Sequence, residues 1–297
     1  MSVDWSAEGD VKELQGLLVE AIKSYVAESP LNRLSKIDNT PIFEEPLVGF
    51  ADGDDPLFDQ YKKVVGEFHL TPRQALDAAV VTEMAAPDRL SVVSWILPIA
   101  GKTKQANREM TEGPSLRWNN SRFQGEEFNE SLRRHVVSLL ERRGYIAVAP
   151  MLASYFKVYD LPNGRASNWS ERHAAYAAGH GTFSLTDGLI TARGIAHRCG
   201  SVVVNAAFVP SPRPYSHHLE YCLGANGEKC LVCAGRCPAD AIGPQGHDKL
   251  KCRELLFVKQ QDWVKKPGYM GSYGGCGLCQ TGVPCESGIP RRPQGGE

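Results

Sequence analysis

Eight of the nine cysteines in this 297-residue chain fall after residue 220, and they fall in two groups. The first is Cys222, Cys230, Cys233 and Cys237, the last followed at once by Pro238. Cys252 stands alone, and Cys276, Cys279 and Cys285 close the series. Eight thiolates are what two four-iron cubanes require, and the run C-x2-C-x3-C-P is the tail of the bacterial two-cluster ferredoxin pattern. In that pattern the cysteine before proline ligates the other cluster. The spacing therefore assigns Cys222, Cys230, Cys233 and Cys285 to one [4Fe–4S] cluster. Cys237, Cys252, Cys276 and Cys279 go to the second.

Two positions depart from the pattern. Gly227 stands where the standard run has a cysteine, so Cys222 must reach in across the segment LGANGEK. The loop QTGVP before Cys285 is longer than usual. Zinc is the competing metal, but it would use two C-x2-C pairs and leave the other thiols idle. Disulfides are the bland alternative. Secreted frameworks spread cysteines through the chain, whereas here the first two hundred residues hold only Cys199, which reads as a buried structural thiol.

A ferredoxin-like segment needs only the last quarter of the chain, and 42% hydrophobic residues leave enough for a separate core. The net charge of −1 and the pI near 6.7 make nucleic acid an unlikely partner and offer no basic membrane patch. The stretch MSVDWSAEGD has neither the charge nor the apolar run of an export signal. No segment approaches the roughly eighteen apolar residues of a membrane span. The expectation is a soluble, cytoplasmic protein.

Helical periodicity marks 11–28, and Thr71-Pro72 opens a second helix as cap and first helical residue, running through QALDAAVVTEM. Residues 29–56 read as a loop. LSVVSWILPI (90–99) reads as a buried strand, followed by a polar stretch to about 120. An amphipathic helix covers 128–144 and stops at Gly144; a strand follows at 145–151. Strand, helix and strand in this order suggest a parallel βαβ unit in an α/β core. A helix at 168–178 and a strand at 201–208 complete it. The expected organisation is an N-terminal helical and loop segment (1–70), an α/β core (71–209), a cysteine domain (210–289) and a frayed tail (290–297).

The segment AAGHGTFSLTDGLITARGIAHRCGSVVVN (177–205), followed by the cysteine array, resembles the catalytic core shared by epoxyqueuosine reductases and reductive dehalogenases. LERRGYIAVAPM resembles their helix and strand ahead of the active site, so the likeness spans about residues 75–287. The resemblance implies a nitroreductase-like α+β core that binds a base-off corrinoid, cobalamin, with the two clusters as its electron wire. It also implies an electron donor such as ferredoxin or flavodoxin, and an organic substrate or a partner protein. Gly179, Gly181, Thr182, Asp187 and Gly188 are the cofactor-loop candidates; a tight helix-to-loop turn accounts for the same residues. The chain lacks the helical-repeat extension that epoxyqueuosine reductases use with transfer RNA and the export signal of respiratory dehalogenases. Where epoxyqueuosine reductases place a proton-donating aspartate, counting back from the glycine loop reaches Arg165.

The segment MLASYFKVYDLPNGR offers Tyr155, Lys157, Tyr159, Asp160 and Arg165 as a proton source. Tyr155 is the candidate acid, because reductive dehalogenases pair a tyrosine with a cation; the plain alternative is an aromatic packed in the core. His180 and the pair His217-His218 read as structural or surface residues, since eight cysteines already complete two clusters. Two other readings stay open. One is an electron-transfer protein that reduces a partner; the other has flavin, or nothing, in the upstream core.

Overall fold

The computed structural model describes residues 8–79 and 89–291. The fold is α+β. Its centre is a four-stranded sheet of β1 (Leu47–Asp52), β2 (Ser91–Pro98), β3 (Ala147–Val148) and β8 (His197–Val204), in the order β1-β2-β8-β3. Every neighbouring pair is antiparallel. The strands of the expected βαβ unit, β2 and β3, do run the same way, but they are not neighbours: β8 lies between them, antiparallel to both. All eight residues of β2 are buried. The apolar run reports that both faces of the strand are covered, which either strand direction permits.

The covering helices sort by alternation along the strands. On one face α1 (Glu8–Glu28) and α5 (Leu116–Glu141) bring Leu18, Ile22, Phe128 and Leu132 onto Val93, Trp95 and Val202. On the other, α2 (Leu57–Val64), α3 (Pro72–Asp77) and α6 (Glu171–Ala177) bring Phe58, Leu76 and Ala174 onto Val92 and Val203. Thr71 caps α3 reciprocally with Gln74, and the part of that expected helix beyond residue 79 lies outside the described residues. Within the expected loop at 29–56 the structure forms β1, an edge strand registered with Ser91 to Ile96 of β2.

The polar stretch before 120 is helical. It holds α4 (Gly101–Arg108) and the first turns of α5, whose Ser115 hydroxyl accepts from the Trp118 amide at 3.1 Å. Asn107, Asn119 and Asn120 are fully buried there. Asn107 donates to Thr281 Oγ1 at 3.1 Å, Asn119 to the Gly274 carbonyl at 3.1 Å and Asn120 to the Gly268 carbonyl at 2.9 Å. These helices look polar because their inner face holds the backbone of the cysteine segment. A buried carbonyl needs a donor, and asparagine supplies one.

Past α5 the chain makes the hairpin β4 (Val158–Leu161) and β5 (Gly164–Ser167), then α6, then the hairpin β6 (Gly181–Phe183) and β7 (Leu189–Thr191). The strand expected at 145–151 is the two-residue β3 followed by a single 3-10 turn. β8 begins at His197, four residues ahead of the expected strand. In the cysteine segment, α7 (Val232–Gly235) and α8 (Lys249–Glu254) are the regular helices that carry Cys233 and Cys252. The tail beyond residue 291 lies outside the described residues.

Candidate electron-transfer centre

Local structure explains how each thiol is held. Cys222 precedes a 3-10 turn at Gly224–Asn226, and the Asn226 amide donates to the carbonyls of Leu219 and Cys222, both at 2.8 Å. This side chain ties the long segment before Cys230 into a compact loop. Gly277 sits between Cys276 and Cys279 at φ 65°, where a Cβ would lie 2.0 Å from Trp118 Cε2. Only glycine fits that approach of the second cysteine group to α5. Arg236 joins the two groups, donating from Nε to the Leu278 carbonyl at 3.1 Å and from Nη2 to the carbonyls of Asn107 and Met110, both at 3.2 Å.

Thiols of each expected set lie near one another, and Cys279 stands between the two. Burial pushes Cys233 up to about 11, with Cys222 and Cys230 adding to it. Cys285 rises to about 12 from burial and from Cys233, Cys222 and Cys230. These four line one narrow recess, with Cys279 at its wall, together with Leu185, Ile190 and Ile195. In the other set, burial pushes Cys276 up to about 11, with Cys252 and Cys237 as its thiol neighbours. Cys279 is raised well above its ordinary value by burial and by Cys276, Cys252 and Cys237, with Cys233 of the first set adding to it. Among the described residues no three His, Cys, Asp or Glu side chains close around a single metal ion.

Two residues beside the thiols carry no motif. His247 bonds Asp187 at 3.1 Å and Cys252 as well, and these bonds raise its pKa to about 9. Gln260 is buried against Cys276 and donates to the Glu112 carbonyl at 2.7 Å. Nothing in the local sequence around either residue announces the contact, which joins segments distant along the chain.

The loop candidates are committed to protein. A Cβ on Gly179 would lie 2.3 Å from the Pro212 carbonyl oxygen, one on Gly181 1.9 Å from that of Ile190, and one on Gly188 2.7 Å from Ile195 Cδ1. Thr182 is fully buried and its hydroxyl accepts from the Tyr221 amide at 2.9 Å. Asp187, at φ 58°, faces His247 and Lys249. The segment is a hinge of close backbone contacts between α6 and the first cysteine group, and the absent side chains are filled by the chain itself. His180 is buried, bonded to the Ser94 carbonyl at 3.1 Å, and burial lowers its pKa to about 4.

The Tyr155 hydroxyl donates to the Ala75 carbonyl at 2.7 Å, its ring rests on the core beside α3, and burial raises its pKa. The nearby cations are engaged elsewhere. Lys157 lies over the Tyr159 ring at 5.2 Å, and Arg165 pairs with Asp160 at 3.1 Å. Asp160 also holds Arg253 of α8 at 3.0 Å, so the β4–β5 hairpin braces the cysteine segment. His217 and His218 are exposed. Cys199 is half-buried and raised to about 12 by burial.

At the outer edge of β8 a buried ion network covers what β3 leaves unpaired. Because β3 pairs only with Val203 and Val204, the Cys199 carbonyl is free of strand partners on that side. Asn129 Nδ2 donates to it at 2.9 Å and Arg133 Nη2 at 3.3 Å. Arg133, 1% exposed, also pairs with Glu126 at 3.1 Å and Glu171 at 3.0 Å.

The fold is that of the epoxyqueuosine reductases. One solved structure with this fold is an epoxyqueuosine reductase bound to an epoxyqueuosine-modified tRNA-Tyr stem loop; it is 19% identical over 95% of this chain and 68% of that one, with a TM-score of 0.51. A selenomethionine-labelled epoxyqueuosine reductase gives 18% identity, the same coverage and a TM-score of 0.51. No family model matches the chain, and no curated protein matches it.

Proposed function

We propose that this chain is an iron–sulfur oxidoreductase whose eight late cysteines hold two [4Fe–4S] clusters. One observation carries the reading: the fold gathers the eight late thiols, with Cys222, Cys230, Cys233, Cys279 and Cys285 around one recess and Cys237, Cys252 and Cys276 close enough to act on Cys279. Buried thiols crowded in this way resist ionisation alone, and cationic iron is the partner that makes their thiolate form the bound one. When bound, such clusters supply single-electron steps. The protein orients them: Asn226 and Gly277 fix the loops, while Asn107 and Asn119 hold the second group against the core.

The finer reading has the electrons reach a base-off corrinoid and then an organic substrate in the cytoplasm, with ferredoxin or flavodoxin as donor and Tyr155 as acid. The shared fold supports it, whereas Tyr155 itself is made a weaker acid by burial and already donates its hydrogen bond to the Ala75 carbonyl. Gly179, Gly181, Thr182, Asp187 and Gly188 do not fit a cofactor cradle, since protein fills the space their side chains leave. That packing favours the second reading, an electron-transfer protein that reduces a partner and has no small-molecule substrate. The tRNA stem loop bound by one structural neighbour raises nucleic acid as a partner, while the net charge of −1 argues against it.

Iron and sulfide content and the visible spectrum of anaerobically purified protein, with and without added cobalamin, test these readings. About eight iron and eight sulfide per chain are expected. Values near zero would remove the proposal. A cobalamin spectrum that shifts on mixing supports the corrinoid reading, and an unchanged one supports the partner-reducing alternative.

A further inference from the structure

We infer that Arg122, Arg198 and Tyr273 form a binding site for a small oxyanion group, a carboxylate or phosphate, beside Cys276. The inference rests on the reading of the second cysteine set as an electron carrier, whose reactant this site would hold.

Arg122 and Arg198 come from α5 and from the start of β8, and both share the Glu126 carboxylate, at 3.7 and 3.3 Å. Arg133 takes the same carboxylate at 3.1 Å and Glu171 at 3.0 Å. Three guanidiniums therefore face two carboxylates, and Arg133 draws on both. The surplus positive charge is left on Arg122 and Arg198. Arg198 Nη2 donates to the Arg122 carbonyl at 3.2 Å, and its Nε is a buried donor with no hydrogen-bond partner among the described residues. A buried unsatisfied guanidinium donor is costly, and an oxyanion is the group that would satisfy it.

The third wall is aromatic. Tyr273 stacks on Phe257 with centroids 4.7 Å apart, meets Phe123 edge-on at 5.5 Å and lies 5.6 Å from the Arg122 guanidinium. Its hydroxyl makes no hydrogen bond to another described residue, so it remains available as a donor. The side chains of Arg122 and Arg198 keep 31% and 20% of their surface, deep enough to desolvate a small anionic group and open enough to admit one. A Cβ on Gly275 would lie 3.4 Å from Arg122 Cγ, which seats the arginine stem against the residue preceding Cys276. The depth of Arg198 favours a small molecule over the flat face of an acidic protein.

The test uses the anaerobically purified full chain, titrated calorimetrically with sodium phosphate and with sodium acetate at ionic strength matched by sodium chloride. The phosphate and acetate arms separate the two oxyanion sources. Saturable binding of one anion per chain is expected, weakened at least about tenfold by Arg122→Gln and by Arg198→Gln. Arg134→Gln, at an exposed position of the same helix, should leave it unchanged. If Arg198→Gln does not fold, the partly exposed Arg122 still decides. Binding of neither anion, or equal binding by the Arg122→Gln protein, overturns the inference. Iron measured on the same samples separates the two readings. Full iron without anion binding overturns the site and leaves the clusters, whereas anion binding without iron supports the site and overturns the clusters.

Discussion

Replacing Arg133 with methionine should cost about 3–4 kcal/mol of folding stability. The side chain is 1% exposed and serves three acceptors: Glu126 at 3.1 Å, Glu171 at 3.0 Å and the Cys199 carbonyl at 3.3 Å. They do not suffer equally. Glu126 keeps Arg198 and Arg122, and Cys199 keeps the Asn129 amide. Glu171, 12% exposed, is left with the Ser201 hydroxyl among the described residues. Removing one member of a buried pair typically costs about 3–5 kcal/mol, and the surviving partners of Glu126 and Cys199 place this case in the lower half. Methionine retains most of the stem's packing, so cavity formation adds little. The assay is urea unfolding, comparing midpoints at an unchanged slope. Adding Glu171→Gln to the Arg133→Met chain should restore most of the loss, because the stranded charge is then gone. A cost below about 1 kcal/mol, the value of a solvated pair, would refute the argument.

The two carboxylates should also respond to pH in opposite senses. Burial raises Glu126, but Arg198, Arg133 and Arg122 outweigh it and hold the group below 4.5, so its stabilisation is lost as pH falls below that value. Glu171 is raised above 4.5 by burial despite Arg133, so its contribution is full in acid and is lost as pH rises past 4.5; stability–pH curves of Glu126→Gln and Glu171→Gln should flatten on opposite sides. Cys237→Ser should lower iron from about eight to about four per chain and spare the cluster at Cys230 and Cys233, while Cys285→Ser spares the one at Cys276 and Cys279. Retention of about eight iron by either protein would break the assignment. Gly181→Ala drives a methyl to 1.9 Å from the Ile190 carbonyl and should destabilise the β6–β7 hairpin by about 1–3 kcal/mol; an unchanged melting temperature with altered cofactor uptake would instead mark a cradle. Tyr155→Phe removes the bond to Ala75 and should cost about 1 kcal/mol, and a large loss of turnover at little cost in stability would establish it as the acid.

The sequence determined what could be read from neighbours along the chain. Cysteine spacing carries its own chemistry, because short loops such as C-x2-C must present their thiols together. The apolar run of β2, the capping pair Thr71 and Gln74, and the α1 periodicity are likewise local. Tertiary structure decided everything that depends on a distant partner. Strand pairing was not legible, since an apolar strand buried on both faces does not show that β8 inserts antiparallel between β2 and β3. The helices at 101–108 and 116–127 hid for the opposite reason: their buried face carries Asn107, Asn119 and Asn120, polar because it bonds the carbonyls of Cys276, Gly274 and Gly268, more than a hundred residues away. The glycines at 179, 181 and 188 showed that something approaches closely, without showing that it is Pro212, Ile190 and Ile195. The charges around Glu126 come from α5, the start of α6 and β8, and only folding makes them one site, because Coulomb attraction depends on separation in space.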